Sequence, residues 1–159
     1  MLFRSVLAHA PANYKDCPAE FKNDTRIKDS LIKGIEYALR RFPLSFKKYV
    51  PKDLRDDPQI QQFLISGWVH KIEKYPAKFE KCPPALQDNP RIQEARLFGW
   101  CRQVQHNIEN LNSVPQDIIS NAAFKICYIE GWIKYLRKNP YKFEDCPQSI
   151  RNKIGRAHV

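Results

Sequence analysis

The chain has 159 residues, 43% hydrophobic and 12% aromatic, with 27 Lys and Arg against 17 Asp and Glu for a net charge of +10. That apolar share is enough for a continuous core and argues against disorder, and no apolar run approaches the ~20 residues of a membrane span. Five cysteines without a Cys-x-x-Cys pair, and His9, His70 and His106 far apart in sequence, complete no ligand set, so neither metal nor cofactor is expected.

The first segment, Met1 to His9, reads as the rear half of a long helix whose cap is missing, with Phe3 and Leu7 in register with later apolar columns. It is too short and too polar for a signal peptide. From Asn23 a unit recurs. Gly34, Gly67, Gly99 and Gly131 are 33, 32 and 32 residues apart, and Trp68, Trp100 and Trp132 each follow a glycine directly. Self-similarity at a fixed period of this size marks a tandem helical array.

Each unit opens on a pair of capping residues. Asn23, Asp56, Asp88 and Ser120 form the outer set, and Asp24, Asp57, Asn89 and Asn121 the inner; all can accept from the free amides of a helix start. Pro58 and Pro90 then take the first helical position, where a missing N–H is harmless. Apolar residues follow at helical spacing. Ile27, Leu31, Ile35 and Leu39 give the first stripe, and Ile60, Leu64, Trp68 and Ile72 the second. Ile92, Arg96, Trp100 and Val104 give the third, and Phe124, Tyr128, Trp132 and Leu136 the fourth. The predicted helices run roughly 16–18 residues each.

Prolines punctuate the helix ends at Pro11, Pro43, Pro76 and Pro140, with Ile108 in that slot in the third unit. Phe46, Phe79 and Phe143 stand three residues on, then Cys17, Cys82 and Cys146 alternate with Val50 and Val114, and a second proline follows. Such a segment reads as one or two short helical turns, begun by one proline and stopped before the next. Cysteine exchanging with valine reads as a small buried apolar residue. The repeated mid-helix glycine costs about 1 kcal/mol relative to alanine. Close packing of a neighbouring helix is the expected reason, and a hinge or a ligand at the backbone the alternative. The structural repeat core is therefore expected at Gly34, Gly67, Trp68, Gly99, Trp100, Gly131 and Trp132, with Phe46, Phe79 and Phe143.

Periodicity stops after Ile150. Residues 153–159 fit no column and match the translation of a common sequencing adapter, so they are expected to be a non-native tail on a fragment of a longer protein. The expectation is all-α: one solenoid-like array over residues 1–152, about four units, each a long helix followed by one or two short ones.

Charge follows the same register. Arg41, Lys74, His106 and Lys138 form one column near the helix C-termini, and His70, Arg102 and Lys134 another one turn earlier, interrupted by Tyr37. Stacked units would turn these into a basic stripe suited to nucleic-acid backbones. The alternative is that cations near helix C-termini complement the macrodipole. No nucleophile elbow, phosphate loop or His-Glu-x-x-His occurs, so no catalytic residue and no enzyme is expected.

In period alone the array resembles tetratricopeptide-type repeats, though their Trp-x-x-Leu-Gly-x-x-Tyr opening is missing. The stretches from Phe46 to Asp57 and from Phe79 to Asn89 are more similar to uncharacterised bacterial helical repeats built around Phe, Pro, Leu and Asp. That resemblance implies an interaction scaffold, a sensor or recruitment arm of a larger protein, and carries no site residues. The expected partner is a protein or peptide, with nucleic acid as the alternative, no membrane, and a reducing, cytoplasmic setting.

Overall fold

The computed structural model describes residues 2–156, with side chains from Ser5 to Lys153. Among them there is no strand; the protein is all-α. The helices are α1 (Leu2–His9), α2 (Thr25–Arg41), α3 (Phe46–Tyr49), α4 (Pro58–Lys74), α5 (Pro84–Gln87), α6 (Pro90–His106), α7 (Gln116–Ser120), α8 (Ala122–Lys138) and α9 (Gln148–Arg156). Four of them, α2, α4, α6 and α8, are 17 residues long. Short 3₁₀ turns open at Pro11, Pro43, Pro76, Ile108 and Pro140 and fill the intervals between the long helices. None of these helices is long and apolar enough to cross a membrane.

The inner capping residues start the long helices. The side chain of Asp24 accepts from the amide of Arg26, Asp57 from Gln59 and Ile60, Asn89 from Arg91, and Asn121 from Ala123 and Phe124. Each satisfies amides that have no partner within the helix, an effect of about 1 kcal/mol per cap. At the other end, Phe42 and Tyr75 stand before prolines, which drive them out of helical conformation (φ −133° and −136°) and stop the helix.

The described residues fall into two compact units, one ending at Ala95 and the other starting at Arg96, inside α6. In the first, α2 packs against α1 and α4. Its core holds Leu31, Ile35, Leu39, Ile60, Leu64, Trp68 and Ile72, with Ile92 and Ala95 from the start of α6. Phe46 and Phe79 are half-buried against that cluster. Leu7, Cys17 and Ile27 make a smaller cluster under α1. Each fully buried Leu or Ile contributes about 1.5–3 kcal/mol.

The glycines of this unit sit where helices meet backbone to backbone. A Cβ on Gly34 would collide with the carbonyl of Leu7 in α1, and one on Gly67 with the carbonyl of Leu39 in α2. The absent side chain lets the neighbour in, which is the packing role expected of it.

In the second unit the core gathers Trp100, Cys101, Val104, Ile108, Phe124 and Trp132, closed by Cys146 and Ile150. Gly99 is buried. At Gly131 the approach is looser, with Val104 O at 3.2 Å and Ile108 Cδ1 at 3.3 Å from the Cβ position. Arg96 interrupts the apolar stripe of α6 because its guanidinium forks onto Asp117 of α7, at 2.5 and 3.2 Å. Phe143 departs from the expected core: it is 41% exposed, and the Arg151 guanidinium lies 6.0 Å from its ring centre. Where Phe46 and Phe79 lie against a packed cluster, Phe143 meets the guanidinium of Arg151, which is itself paired with Glu144 at 2.7 Å.

The indoles of Trp68, Trp100 and Trp132 are buried, yet their Nε1–H groups have no hydrogen-bond partner. An unpaired buried donor costs about 1–3 kcal/mol, so each indole stabilises less than its area implies. The cysteines are free; Cys17, Cys82, Cys101 and Cys146 are buried, and burial pushes the Cys82 thiol up to about 11 and Cys101 to about 12. Helix α9 continues through Arg156 and takes in the first four residues of the expected non-native tail; residues 157–159 lie outside the described residues.

Candidate functional site

The last turns of α2 and α4 lie side by side in the first unit and enclose a cleft of about 600 Å³. Arg41, His70 and Lys74, three members of the two charge columns, line it together. Arg40 and Lys71 add two more basic side chains, and no carboxylate among the described residues lines the cleft. Tyr37, Phe42 and Tyr75 complete the wall, at 52%, 53% and 45% exposure.

The positions follow from how the two helices end. Arg41 and Lys74 are the last helical residues, Tyr37 and His70 stand one turn earlier, and all four share a face at i, i+4 spacing. Phe42 and Tyr75 come next. The following prolines turn their backbones out of the helix, and both residues stay about half exposed, with the Tyr75 ring beside Lys71 and Lys74 of the last turn and the Phe42 ring beside Tyr49. Cations at a helix C-terminus meet the partial negative charge of unpaired carbonyls, which lowers the cost of crowding them together.

The cations and rings are already paired. Arg41 Nη1 donates to Tyr37 Oη at 2.7 Å, and the guanidinium lies 5.0 Å from the Tyr37 ring centre. Lys71 and Lys74 hold their ammonium groups 5.5 and 5.3 Å from the Tyr75 ring centre. Each contact is worth about 0.5–1 kcal/mol at an exposed site. The result is a concave, positively charged surface with aromatic faces at its rim, able to accept several anionic oxygens and a flat group at once.

The remaining column residues lie in the second unit. Arg102 and His106 on α6, and Lys134 and Lys138 on α8, are all exposed. There the positions equivalent to Phe42 and Tyr75 are Asn107 and Asn139, and both amides are committed to backbone. Asn107 accepts from the amide of Glu109, and Asn139 donates to the carbonyl of Tyr135. The aromatic rim therefore belongs to the first unit.

Sequence reasoning missed Arg40, Lys71, Phe42 and Tyr75. The signal was an aromatic immediately before a helix-ending proline, twice in register. Among the described residues, no three His, Cys, Asp or Glu side chains are grouped so as to hold a metal ion. No protein-family model, curated protein or solved structure matches this chain.

Proposed function

We propose that this chain is a non-catalytic interaction module, a solenoid-like array of helical repeats, that binds nucleic acid through the cleft at the ends of α2 and α4. The observation that carries the reading is the lining itself: Arg40, Arg41, Lys71 and Lys74 converge with His70 on one cavity that no carboxylate among the described residues lines. Salt-bridged scaffolds neutralise such clusters internally, whereas a cluster left unneutralised raises the local concentration of polyanions and speeds their encounter. The repeat reading is supported by long helices that begin at Thr25, Pro58, Pro90 and Ala122, in the phase of the glycines. Free cysteines suit a reducing, cytoplasmic setting.

A labelled RNA or DNA oligomer titrated in low salt tests it. Engaging four phosphates predicts that log affinity falls against log salt with a slope of about −3 to −4. Charge reversal at Arg41, Lys71 and Lys74 should abolish binding while leaving the helical circular dichroism unchanged, because Arg41 and Lys74 are exposed and Lys71 only half-buried. Binding that survives the reversal, or none in low salt, refutes the proposal. A protein or peptide partner, the other expectation from sequence, would then be the reading to pursue.

A further inference from the structure

We infer that the nucleic acid taken by this surface is single-stranded, and that its track runs from the first cleft into a second one past a tilted pair of aromatic rings. The inference rests on the nucleic-acid reading above and narrows it. The second cleft, of about 330 Å³, lies in the same unit. Lys15, Lys22, Lys47, Lys48, Lys52 and Arg55 line it, with Asp53 the one acid. Arg55 is fixed there by the carbonyls of Lys47 at 3.0 Å and Val50 at 3.3 Å.

Two rings join the clefts. Phe42 lines the first, Tyr49 lines the second, and their centroids are 6.4 Å apart at an interplanar angle of 38°. The pairing of cation and ring continues along this path. Lys22 sits 5.5 Å from the Tyr14 ring centre and Lys48 5.5 Å from that of Tyr49, just as Arg41 covers Tyr37 and Lys74 covers Tyr75.

The chemistry of these pairs selects the occupant. A cation beside an aromatic face offers one group to a phosphate and the other to the base attached to it. A duplex turns its phosphates outward and hides the faces of its bases in the stack, so it could use the lysines and leave the rings idle. Phe42 decides between the two. Its phenyl ring has no polar atom for a phosphate or a groove edge, yet it is 53% exposed at the junction of two basic clefts. Base stacking on such a platform needs no sequence preference, since every base has a π-face.

The test compares three probes by fluorescence anisotropy in low salt, a labelled oligo(dT) strand, its duplex with oligo(dA), and inorganic polyphosphate as competitor, with polyglutamate as a second competitor against the strand. The strand should bind at least about tenfold more tightly than the duplex. Phe42→Ala should weaken the strand by roughly 5- to 100-fold, leave polyphosphate competition unchanged, and be rescued by Phe42→Tyr. Lys48→Glu should weaken the strand and reduce its salt slope by about 1. Equal affinity for strand and duplex, or no effect of Phe42→Ala, overturns the single-strand inference while polyphosphate binding keeps the polyanion surface. Polyglutamate competing as well as the strand would overturn it in favour of an acidic protein partner. Absence of binding by all three probes would instead defeat the underlying nucleic-acid reading.

Discussion

Replacing Gly67 by alanine puts the packing of the first unit to a direct test. A Cβ there would stand closer than 3 Å to the carbonyl oxygen of Leu39, 2.9 Å from its carbon and 3.4 Å from Pro43 Cβ. The first two are backbone atoms inside α2 and cannot rotate away. Seating the methyl group requires α4 to retreat from α2 by about 1 Å, loosening Ile35 and Leu39 against Ile60, Leu64 and Trp68. Overpacking of this kind costs about 1–3 kcal/mol, and the rigid neighbour places Gly67 at the top of that range. Alanine returns about 1 kcal/mol of helix propensity. The net loss is about 2 kcal/mol, or roughly 10 °C in the melting of a unit of this size. Gly131→Ala is the matched control. Its Cβ would meet Val104 O at 3.2 Å and the flexible Ile108 Cδ1 at 3.3 Å, so strain and propensity nearly cancel and stability should stay within about 1 kcal/mol of the parent. Thermal unfolding followed by far-ultraviolet circular dichroism reads both. A Gly67→Ala protein melting at or above the parent, or below which Gly131→Ala falls, would refute the close-approach argument.

Trp68→Ala removes a side chain that is 1% exposed and should cost about 3–5 kcal/mol. Trp68→Phe should cost less than about 2 kcal/mol, because it also deletes the unpaired Nε1–H; equal losses by chemical denaturation would contradict that. Stability should also fall in acid through the cap of α2. The side chain and amide of Arg26 hold the Asp24 carboxyl down from 3.8 to about 2. Because the folded value is the lower one, the stabilisation is complete above about pH 4 and is lost as pH falls towards 2. Asp24→Asn keeps the capping oxygen without the charge. The melting difference between parent and Asp24→Asn should therefore shrink over that window, and a constant difference would show that the charge plays no part.

The helix starts and stops were legible because single residues dictate them. Asp57 caps and Pro58 follows, and Pro43 and Pro76 forbid helical backbone at the residue before. The glycine column was legible as a packing device because nothing else repays its cost inside a helix. Arg96 in an apolar stripe was not, since its explanation lies 21 residues away at Asp117 and depends on where α7 is set down. Nor was the exposure of Phe143, which shares its column with the half-buried Phe46 and Phe79; what differs is the neighbour it meets. The unpaired indoles were equally hidden, because periodicity reports which way a side chain points and says nothing of what faces its N–H. Of the seven residues in the two charge columns, Arg41, His70 and Lys74 line the cleft, while Arg102, His106, Lys134 and Lys138 lie in the second unit. The rings of Phe42 and Tyr75 escaped because a helical wheel ends where the helix does, and their direction is set by the break.

The cleft and the glycines have one physical origin. Four cationic side chains, Arg40, Arg41, Lys71 and Lys74, on two adjoining helix ends repel one another, and an isolated pair of helices would relieve this by splaying apart. Here splaying is opposed by backbone-to-backbone contact at Gly67, and each helix end brings carbonyls that partly compensate the cations. With Arg41 bonded to Tyr37 and the lysines laid on Tyr75, the side chains are held in an order that leaves their charge unneutralised. A polyanion entering the cleft would meet cations already positioned beside aromatic faces and would add the counter-charge the fold itself withholds. Binding and stability are then linked: whatever occupies the cleft must also raise the melting temperature, in proportion to the logarithm of its concentration over its dissociation constant.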